Sequence, residues 1–129
     1  MTSSPPSTPR AVVGATDGAP YSQAAAWGDL VFTAGQVGSL DPLAPDAETQ
    51  AREACGALER ALTAAGASLE TVLRVEAFLA DAGDFEAWNR VYREVFPTAP
   101  PARTTVTTGF VLDGLLIEIQ AVAGRVSAS

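Results

Sequence analysis

Histidine is absent from this chain of 129 residues, and cysteine occurs once, as Cys55. A protein without histidine cannot use a Ser-His-Asp triad, a Cys-His pair or a histidine-ligated metal. A single cysteine also excludes an intrachain disulfide. Any chemistry must therefore come from carboxylates, arginine, tyrosine, hydroxyls, amides or backbone groups.

Positive charge is scarce as well. Eight basic residues against fifteen acidic residues give a formal net charge of −7. The basic residues are scattered, whereas binding to nucleic-acid phosphates or to an anionic membrane needs clustered cations. We therefore predict no nucleic-acid partner and no membrane partner. An isolated arginine in such an acidic protein is a candidate for holding a small anion.

Long apolar runs are also missing. No stretch approaches the ~20 apolar residues that span a bilayer. The opening residues MTSSPPSTPR lack the charged and apolar segments of a signal peptide, so the predicted location is the cytoplasm. Hydrophobic residues make up 47% of the chain, which is enough for one core. We predict a flexible arm over residues 1–12, a single domain over 13–125 and a tail over 126–129.

Hydrophobic periodicity and turn residues predict five strands and two helices. Gly28-Asp29 is a hairpin signal between the first two strands. Asp46 and Asp84 are predicted to cap the two helices, and Gly66 is predicted to end the first. The predicted strands cover residues 21–27, 30–37, 71–80, 104–112 and 115–122.

The resulting order, ββαβαββ, predicts an α+β fold with two helices packed on one face of a mixed sheet. A strand, helix, strand connection is normally a right-handed parallel crossover, so strands 71–80 and 104–112 should run parallel. The last strand then fits between the second and the third. Because both helices lie on one side, the open face needs a cover, which oligomerisation would supply.

Glu118 is the most unusual residue, because it lies in the apolar run Leu115-Leu116-Ile117-Glu118-Ile119. A carboxylate there needs a hydrogen-bonding partner or a cavity. Taken alone, it is more commonly a solvent-facing residue on a half-exposed strand, since alternation places it on one face with Leu116 and Gln120.

Arg103 follows Pro100-Pro101-Ala102 and opens a strand. Its guanidinium can hold a carboxylate by two parallel hydrogen bonds, although an ordinary exposed ion pair is the commoner role. If Asp113-Gly114 made a tight hairpin, Arg103 and Glu118 would lie about 20 Å apart. The two can meet only if their strands are not hairpin partners, which the inserted last strand would allow, or across a subunit boundary.

Four further residues have weaker signals. Tyr21 can donate a hydrogen bond, but is more commonly an aromatic at the core edge. Asn89 lies beside an apolar helix stripe and is more commonly solvated. Gly35 at a strand end suggests a bulge or a close backbone approach. Cys55 falls on the apolar stripe of the first helix, where a buried thiol is far commoner than a nucleophile.

All of these residues except Cys55 belong to five short motifs that occur in the order found in RidA (YjgF/YER057c/UK114) proteins, and the chain resembles that family from about residue 15 to residue 123. Each motif alone is weak, and together they are specific. The motifs are Pro20-Tyr21-Ser22-Gln23-Ala24, Val31-Phe32-Thr33-Ala34-Gly35-Gln36, Asp84-Phe85 with Asn89 and Tyr92, Pro101-Ala102-Arg103, and Ile117-Glu118-Ile119.

The resemblance implies a chorismate-mutase-like homotrimer with clefts between subunits. It also implies a hydrolase that converts 2-aminoacrylate-like enamines, or their imines, to 2-oxo acids and ammonia, with no metal and no cofactor. By the motif match, Arg103 would hold the substrate carboxylate and Glu118 would position the attacking water. The implied substrate-binding residues are Tyr21, Gly35, Asn89 and Thr105.

Several positions depart from the family pattern. Ala34 replaces a common serine, and Thr105 replaces a common cysteine. Val111-Leu112-Asp113 stands where the family has a Leu-Pro-Lys type segment, Phe110 adds bulk beside it, and Ala19 replaces a glycine. These departures predict a remodelled pocket. The alternatives are a non-catalytic module that binds a small carboxylate metabolite through Arg103, an endoribonuclease, which the acidic balance disfavours, and a chorismate-type isomerase, suggested by fold analogy alone.

Overall fold

In the part of the chain that the structure describes, six strands form one mixed sheet and two α-helices cover one of its faces. The computed structural model describes residues 10–15 and 18–126. The predicted α+β class with two helices on a mixed sheet is confirmed. The elements are β1 (Arg10–Val13), β2 (Ala24–Trp27), β3 (Leu30–Thr33), α1 (Ala47–Ala64), β4 (Val72–Leu79), α2 (Phe85–Val95), β5 (Ala102–Thr107) and β6 (Ile117–Gly124).

Strand β1 is an addition to the predicted order. It pairs antiparallel with β2, so residues 10–12 belong to the sheet and not to the predicted arm. The strand was missed because its side chains are almost all exposed and show no alternation; backbone pairing with β2 holds it in place. Residues 1–9 of the predicted arm and 127–129 of the predicted tail lie outside the described residues.

The strands follow the order β1-β2-β3-β6-β4-β5. Strand β6 therefore lies between β3 and β4, as predicted, and β4 and β5 run parallel, also as predicted. The predicted strand 104–112 is too long, since β5 ends at Thr107. The Asp113-Gly114 turn forms, with Gly114 at φ 86°, but it does not join neighbouring strands because β4 separates β5 from β6.

The helix ends follow local sequence signals in part. The Asp46 carboxylate caps α1 by accepting hydrogen bonds from the Thr49 backbone N–H at 2.8 Å and from its hydroxyl at 2.9 Å. These bonds hold the pKa of Asp46 below its ordinary value. Gly66, just beyond α1, has φ 85°, which glycine adopts without strain. Asp84 occupies the N-cap position of α2, but its side chain makes no capping hydrogen bond, so that part of the prediction is wrong.

The two faces of the sheet differ in burial. On β6, the residues that face the helices, Ile117, Ile119, Ala121 and Ala123, are at most 4% exposed. The opposite face carries large apolar side chains that remain open, and Trp27 is 61% exposed. A face of this kind normally needs a cover, because exposed apolar surface is costly in water.

Gln50 is a buried polar residue of α1 that holds two loops in place. Its Nε2 donates to the Ala44 carbonyl at 2.7 Å and to the Gly114 carbonyl at 3.0 Å. Its Oε1 accepts a hydrogen bond from the Leu116 backbone N–H at 2.9 Å. The side chain is fully buried, so all three bonds are shielded from water. Gln50 thus fixes the segment that leads from the Asp113-Gly114 turn into β6.

We expect Gln50→Leu to destabilise the protein by about 2–4 kcal/mol, because it leaves three backbone groups without their partner. Urea unfolding at fixed protein concentration measures the change. Gln120→Leu is the matched control, since that half-buried glutamine makes one long bond, 3.3 Å, to Glu76. Equal losses for the two variants would show that the three bonds of Gln50 have no special weight.

Candidate functional site

A β-bulge at the end of β3 brings Gly35 against Glu118. Phe32 pairs with Val122, and Gln36 pairs with Ile119. The chain therefore advances four residues on the Gly35 side and three on β6 between the two pairs, which leaves one extra residue in a bulge. Two backbone hydrogen bonds hold the bulge. The Gln36 N–H donates to the Ile119 carbonyl at 2.6 Å, and the Ile119 N–H donates to the Gln36 carbonyl at 3.0 Å. A Cβ atom at position 35 would lie 2.8 Å from the Glu118 carboxyl carbon. Gly35 is therefore a close-approach glycine at a bulge, as its position in the sequence predicts.

The Glu118 carboxylate opens into a cavity of about 370 Å³. Among the described residues, no group donates a hydrogen bond to the Glu118 carboxylate. Glu118 also forms no ion pair there, because Arg52 and Arg90 are the cations of the ion pairs and their partners are other glutamates. The carboxylate is thus half-buried and free to bind a ligand or water. The cavity, which we call the Glu118 cavity, is lined by Tyr21, Ala34, Gly35, Val37, Leu40, Val111, Leu112, Leu115 and Glu118.

Gly35→Ala should therefore displace the Glu118 carboxylate. The added methyl would overlap the carboxylate end of a flexible side chain, so the side chain should move while the backbone stays in place. We expect any activity that depends on Glu118 to fall at least tenfold, with little change in thermal stability. Gly109→Ala is the matched control, because no atom lies within 4 Å of a Cβ atom there. Activity that survives Gly35→Ala unchanged would contradict this geometry.

Arg103 lies on the edge strand β5 and points toward α2. Its guanidinium carbon is 4.7 Å from the Tyr92 ring centre, 5.5 Å from that of Phe85 and 5.9 Å from that of Trp88. Aromatic faces attract a guanidinium without using its N–H donors. Burial raises the pKa of the Tyr92 hydroxyl, and the charge of Arg103 opposes that rise. The aromatic side chains hold Arg103 while leaving its hydrogen-bond donors available.

A second cavity, of about 550 Å³, contains Arg103. The ion pairs of the described residues do not include Arg103. Asn89 and Arg93 line the same cavity, so amide and cationic groups converge there. We call it the Arg103 cavity; its lining is Asn89, Tyr92, Arg93, Phe96, Pro97, Pro100, Pro101 and Arg103.

The structure does not bring Arg103 and Glu118 together within one chain. Arg103 pairs with Val75 and Glu118 with Phe78 on the shared neighbour β4. Positions 75 and 78 differ by an odd number, so the two side chains project from opposite faces. Their backbones are roughly 14 Å apart by strand spacing and rise. The inserted strand was expected to allow contact between Arg103 and Glu118, and it does not. Of the two possibilities that the sequence left open, contact across a subunit boundary is the one that remains.

The other predicted site residues divide between the cavities. Tyr21 and Gly35 lie with Glu118, and Asn89 lies with Arg103. Thr105 lines neither cavity; its hydroxyl accepts a hydrogen bond from Trp88 Nε1 at 3.3 Å. Its side chain therefore supports the aromatic group around Arg103.

Cys55 is buried in the core, as expected from its position on the α1 stripe. Burial raises the pKa of its thiol to about 12, so the reactive thiolate is scarce at neutral pH. This thiol is therefore not a nucleophile of the site.

Sequence reasoning missed two groups of site residues. Phe85, Trp88 and Tyr92 of α2 were not predicted as site residues, although they surround Arg103. Their three- and four-residue spacing shows that they share one face of the helix. Only the pairing of β5 with β4 shows that Arg103 lies against that face. The apolar walls of the Glu118 cavity were the second group; the departures at Ala34 and at Val111-Leu112-Asp113 were the signals that pointed there.

These features define a class: a small α+β protein whose site groups occupy two separate cavities at its surface. The family model described as Endoribonuclease L-PSP matches residues 15–125. The chain belongs to this family, which is also called YjgF/RidA and is the family its motifs resemble.

Similar proteins come from distant organisms. The chain is 40% identical over 113 residues to the mitochondrial protein mmf2 of Schizosaccharomyces pombe, covering 84% of this chain and 90% of that protein. A RutC family protein of Pyrococcus horikoshii is 38% identical over 109 residues, covering 81% and 86% of the two chains. A YjgF/YER057c/UK114 family member from Mycobacterium tuberculosis has a crystal structure that superposes with a TM-score of 0.80 at 31% identity, covering 89% and 98%.

The relatives bear on location as well. The yeast relative is named as mitochondrial, so the predicted cytoplasmic location does not follow from the family. Among the described residues, no helix has the length and apolar character needed to cross a bilayer.

Proposed function

We propose that the protein hydrolyses reactive 2-imino acids, and the enamines that interconvert with them, to 2-oxo acids and ammonia. The observation that carries the proposal is the pair of available charged groups. Among the residues that the structure describes, Arg103 rests on aromatic rings and forms no ion pair, and Glu118 opens into a cavity without a partner. A protein rarely leaves two such groups half-buried and unpaired unless they bind something.

Arg103 is suited to the substrate carboxylate. Its planar guanidinium can hold both carboxylate oxygens by parallel hydrogen bonds. The Asn89 side chain lines the same cavity and can add an amide contact. Binding at this end fixes the position of the adjacent imine carbon, which lowers the entropic cost of the reaction.

Glu118 is suited to the water. Its carboxylate accepts a hydrogen bond from water and takes a proton as the water oxygen bonds to the imine carbon. Protonated Glu118 passes that proton to the nitrogen, the C–N bond breaks, and ammonia leaves with the second proton of the water as the hydroxyl becomes the carbonyl. Water supplies the new oxygen, and Glu118 ends the cycle in its starting form. An imine carbon is already electrophilic, so positioning and proton transfer suffice.

The two cavities must belong to one site for this chemistry, and we propose that a homotrimer joins them. In the trimer, the Arg103 cavity of one subunit would face the Glu118 cavity of its neighbour. The open sheet face supports this assembly, because Trp27, Phe32 and Val106 are 61%, 47% and 45% exposed in the single chain. Light scattering at micromolar concentration should give the mass of three chains.

The direct test is ammonia release from imino acids formed in the reaction vessel by an amino-acid oxidase. The expected result is 2-oxo acid and ammonia formation faster than the spontaneous reaction, in proportion to added protein. A folded trimer that accelerates none of these reactions, yet binds small carboxylates through Arg103, would favour the binding module instead.

The family model that the chain matches is described as an endoribonuclease. A chain with a net charge of −7 is poorly suited to an RNA backbone, because binding there depends on neutralising phosphates. RNA cleavage that Arg103→Ala and Glu118→Gln both abolish would overturn the imine proposal.

A further inference from the structure

We infer that the Glu118 cavity selects imino acids with a bulky aliphatic side chain over those with a methyl group. The inference rests on the proposed function. Six of the nine residues that line this cavity are apolar, and the polar groups are confined to Tyr21 and Glu118. The apolar residues are Ala34, Val37, Leu40, Val111, Leu112 and Leu115.

The charged residues of the two cavities indicate which part of the substrate enters each of them. Arg103 and Arg93 lie in the Arg103 cavity, so the substrate carboxylate belongs there. None of the described residues that line the Glu118 cavity is a cation, and the carboxylate of Glu118 repels a second negative charge. The part of the substrate that enters the Glu118 cavity, beyond the reacting carbon, must therefore be uncharged.

The volume of the Glu118 cavity also favours a large substrate side chain. The Glu118 cavity holds about 370 Å³. A methyl group takes up about the volume of a water molecule, roughly 30 Å³, and would leave most of the apolar wall in contact with water. A branched side chain of four carbons would cover more of that wall. Burying three additional carbons favours the larger substrate by roughly 10- to 50-fold.

Hydrogen bonds hold part of this wall in place. Leu115 lies in the segment that Gln50 holds through Gly114 and Leu116. In the single chain, Leu40 is 53% exposed and Leu112 is 47% exposed, although both are apolar. A ligand side chain that packs on them removes this surface from water.

The experiment compares kcat/KM for three imines formed in place from leucine, alanine and glutamate. We expect the leucine-derived imine to be preferred over the alanine-derived imine by roughly 10- to 50-fold. The glutamate-derived imine is similar in length to the leucine-derived one but charged, and should be the poorest of the three. Equal values for the leucine and alanine imines, or a preference for the charged imine, would overturn the inference while leaving the proposed function intact.

Variants test which wall is responsible. Leu112→Ser should lower kcat/KM for the leucine imine at least threefold more than for the alanine imine, whereas Leu112→Met, which conserves volume, should keep most of the preference. Val126→Ser removes another exposed apolar side chain outside the cavity lining and should leave both values unchanged. A preference that Leu112→Ser does not alter would contradict the assignment of this wall. If the wild-type protein hydrolyses none of the imines, the proposed function fails, and the inference fails with it.

Discussion

Replacing Arg103 by alanine should lower kcat/KM for imine hydrolysis by roughly 30- to 1,000-fold, because a bidentate charged contact in a partly desolvated cavity is worth about 2–4 kcal/mol. The fold should survive. Arg103 is on an edge strand, and its contacts with Tyr92, Phe85 and Trp88 are of the cation–π type. Losing such contacts costs about 0.5–1 kcal/mol at a half-exposed position.

The control variants separate charge from geometry. Arg103→Lys should recover only part of the activity, because an ammonium cannot reproduce the planar fork. Arg60→Ala removes an exposed arginine of α1 that lines neither the Arg103 cavity nor the Glu118 cavity, and should leave kcat/KM unchanged. An Arg103→Ala protein that remains a trimer with normal kcat/KM would refute the carboxylate-binding role.

Glu118→Gln should lower kcat by roughly 100- to 10,000-fold, the usual contribution of a positioned acid–base group, while KM changes little. Glutamine fills the same space beside Gly35 but cannot take the proton from water. Since the Glu118 carboxylate has no hydrogen-bond partner among the described residues, the change breaks no internal bond. Steady-state kinetics with the preferred imine separates kcat from KM.

Glu76→Gln is the matched control for this variant. Glu76 lies on the same face of the sheet, on β4, and accepts a 3.3 Å hydrogen bond from Gln120. It lines neither of the two cavities, so its replacement should leave kcat near the wild-type value. A similar loss of kcat in both variants would indicate a general effect of negative charge on this face, and Glu118 would lose its assigned role.

Turn and cap residues predicted their local structures more often than hydrophobic alternation revealed the strand at the sheet edge. The Gly28-Asp29 hairpin and the Asp46 cap formed as predicted, because both depend on the conformations of neighbouring residues. Asp84 was placed correctly but does not cap α2, and β1 was missed. An edge strand with exposed side chains has no hydrophobic pattern to detect, since its stability comes from backbone bonds to a partner distant in sequence.

The sequence by itself determined which residues are candidates for the chemistry. With no histidine and one cysteine, the available groups were carboxylates, arginine, tyrosine, hydroxyls, amides and the backbone, and Glu118 stood out as a charge within an apolar strand. It also determined the order of the elements from β2 to β6 along the chain, and it indicated a bulge or close approach at Gly35. Motif order then identified the family, since matches distributed over the whole domain rarely coincide by chance.

Only the tertiary structure decided how those residues are arranged. The face from which a strand residue projects depends on its pairing register, and the registers of β5 and β6 are both set by β4, which is distant from them in sequence. That pairing places Arg103 among the aromatic rings of α2 and Glu118 in an apolar cavity on the other face. Local sequence does not encode this division, because a shift of one residue in either register would place both side chains on the same face.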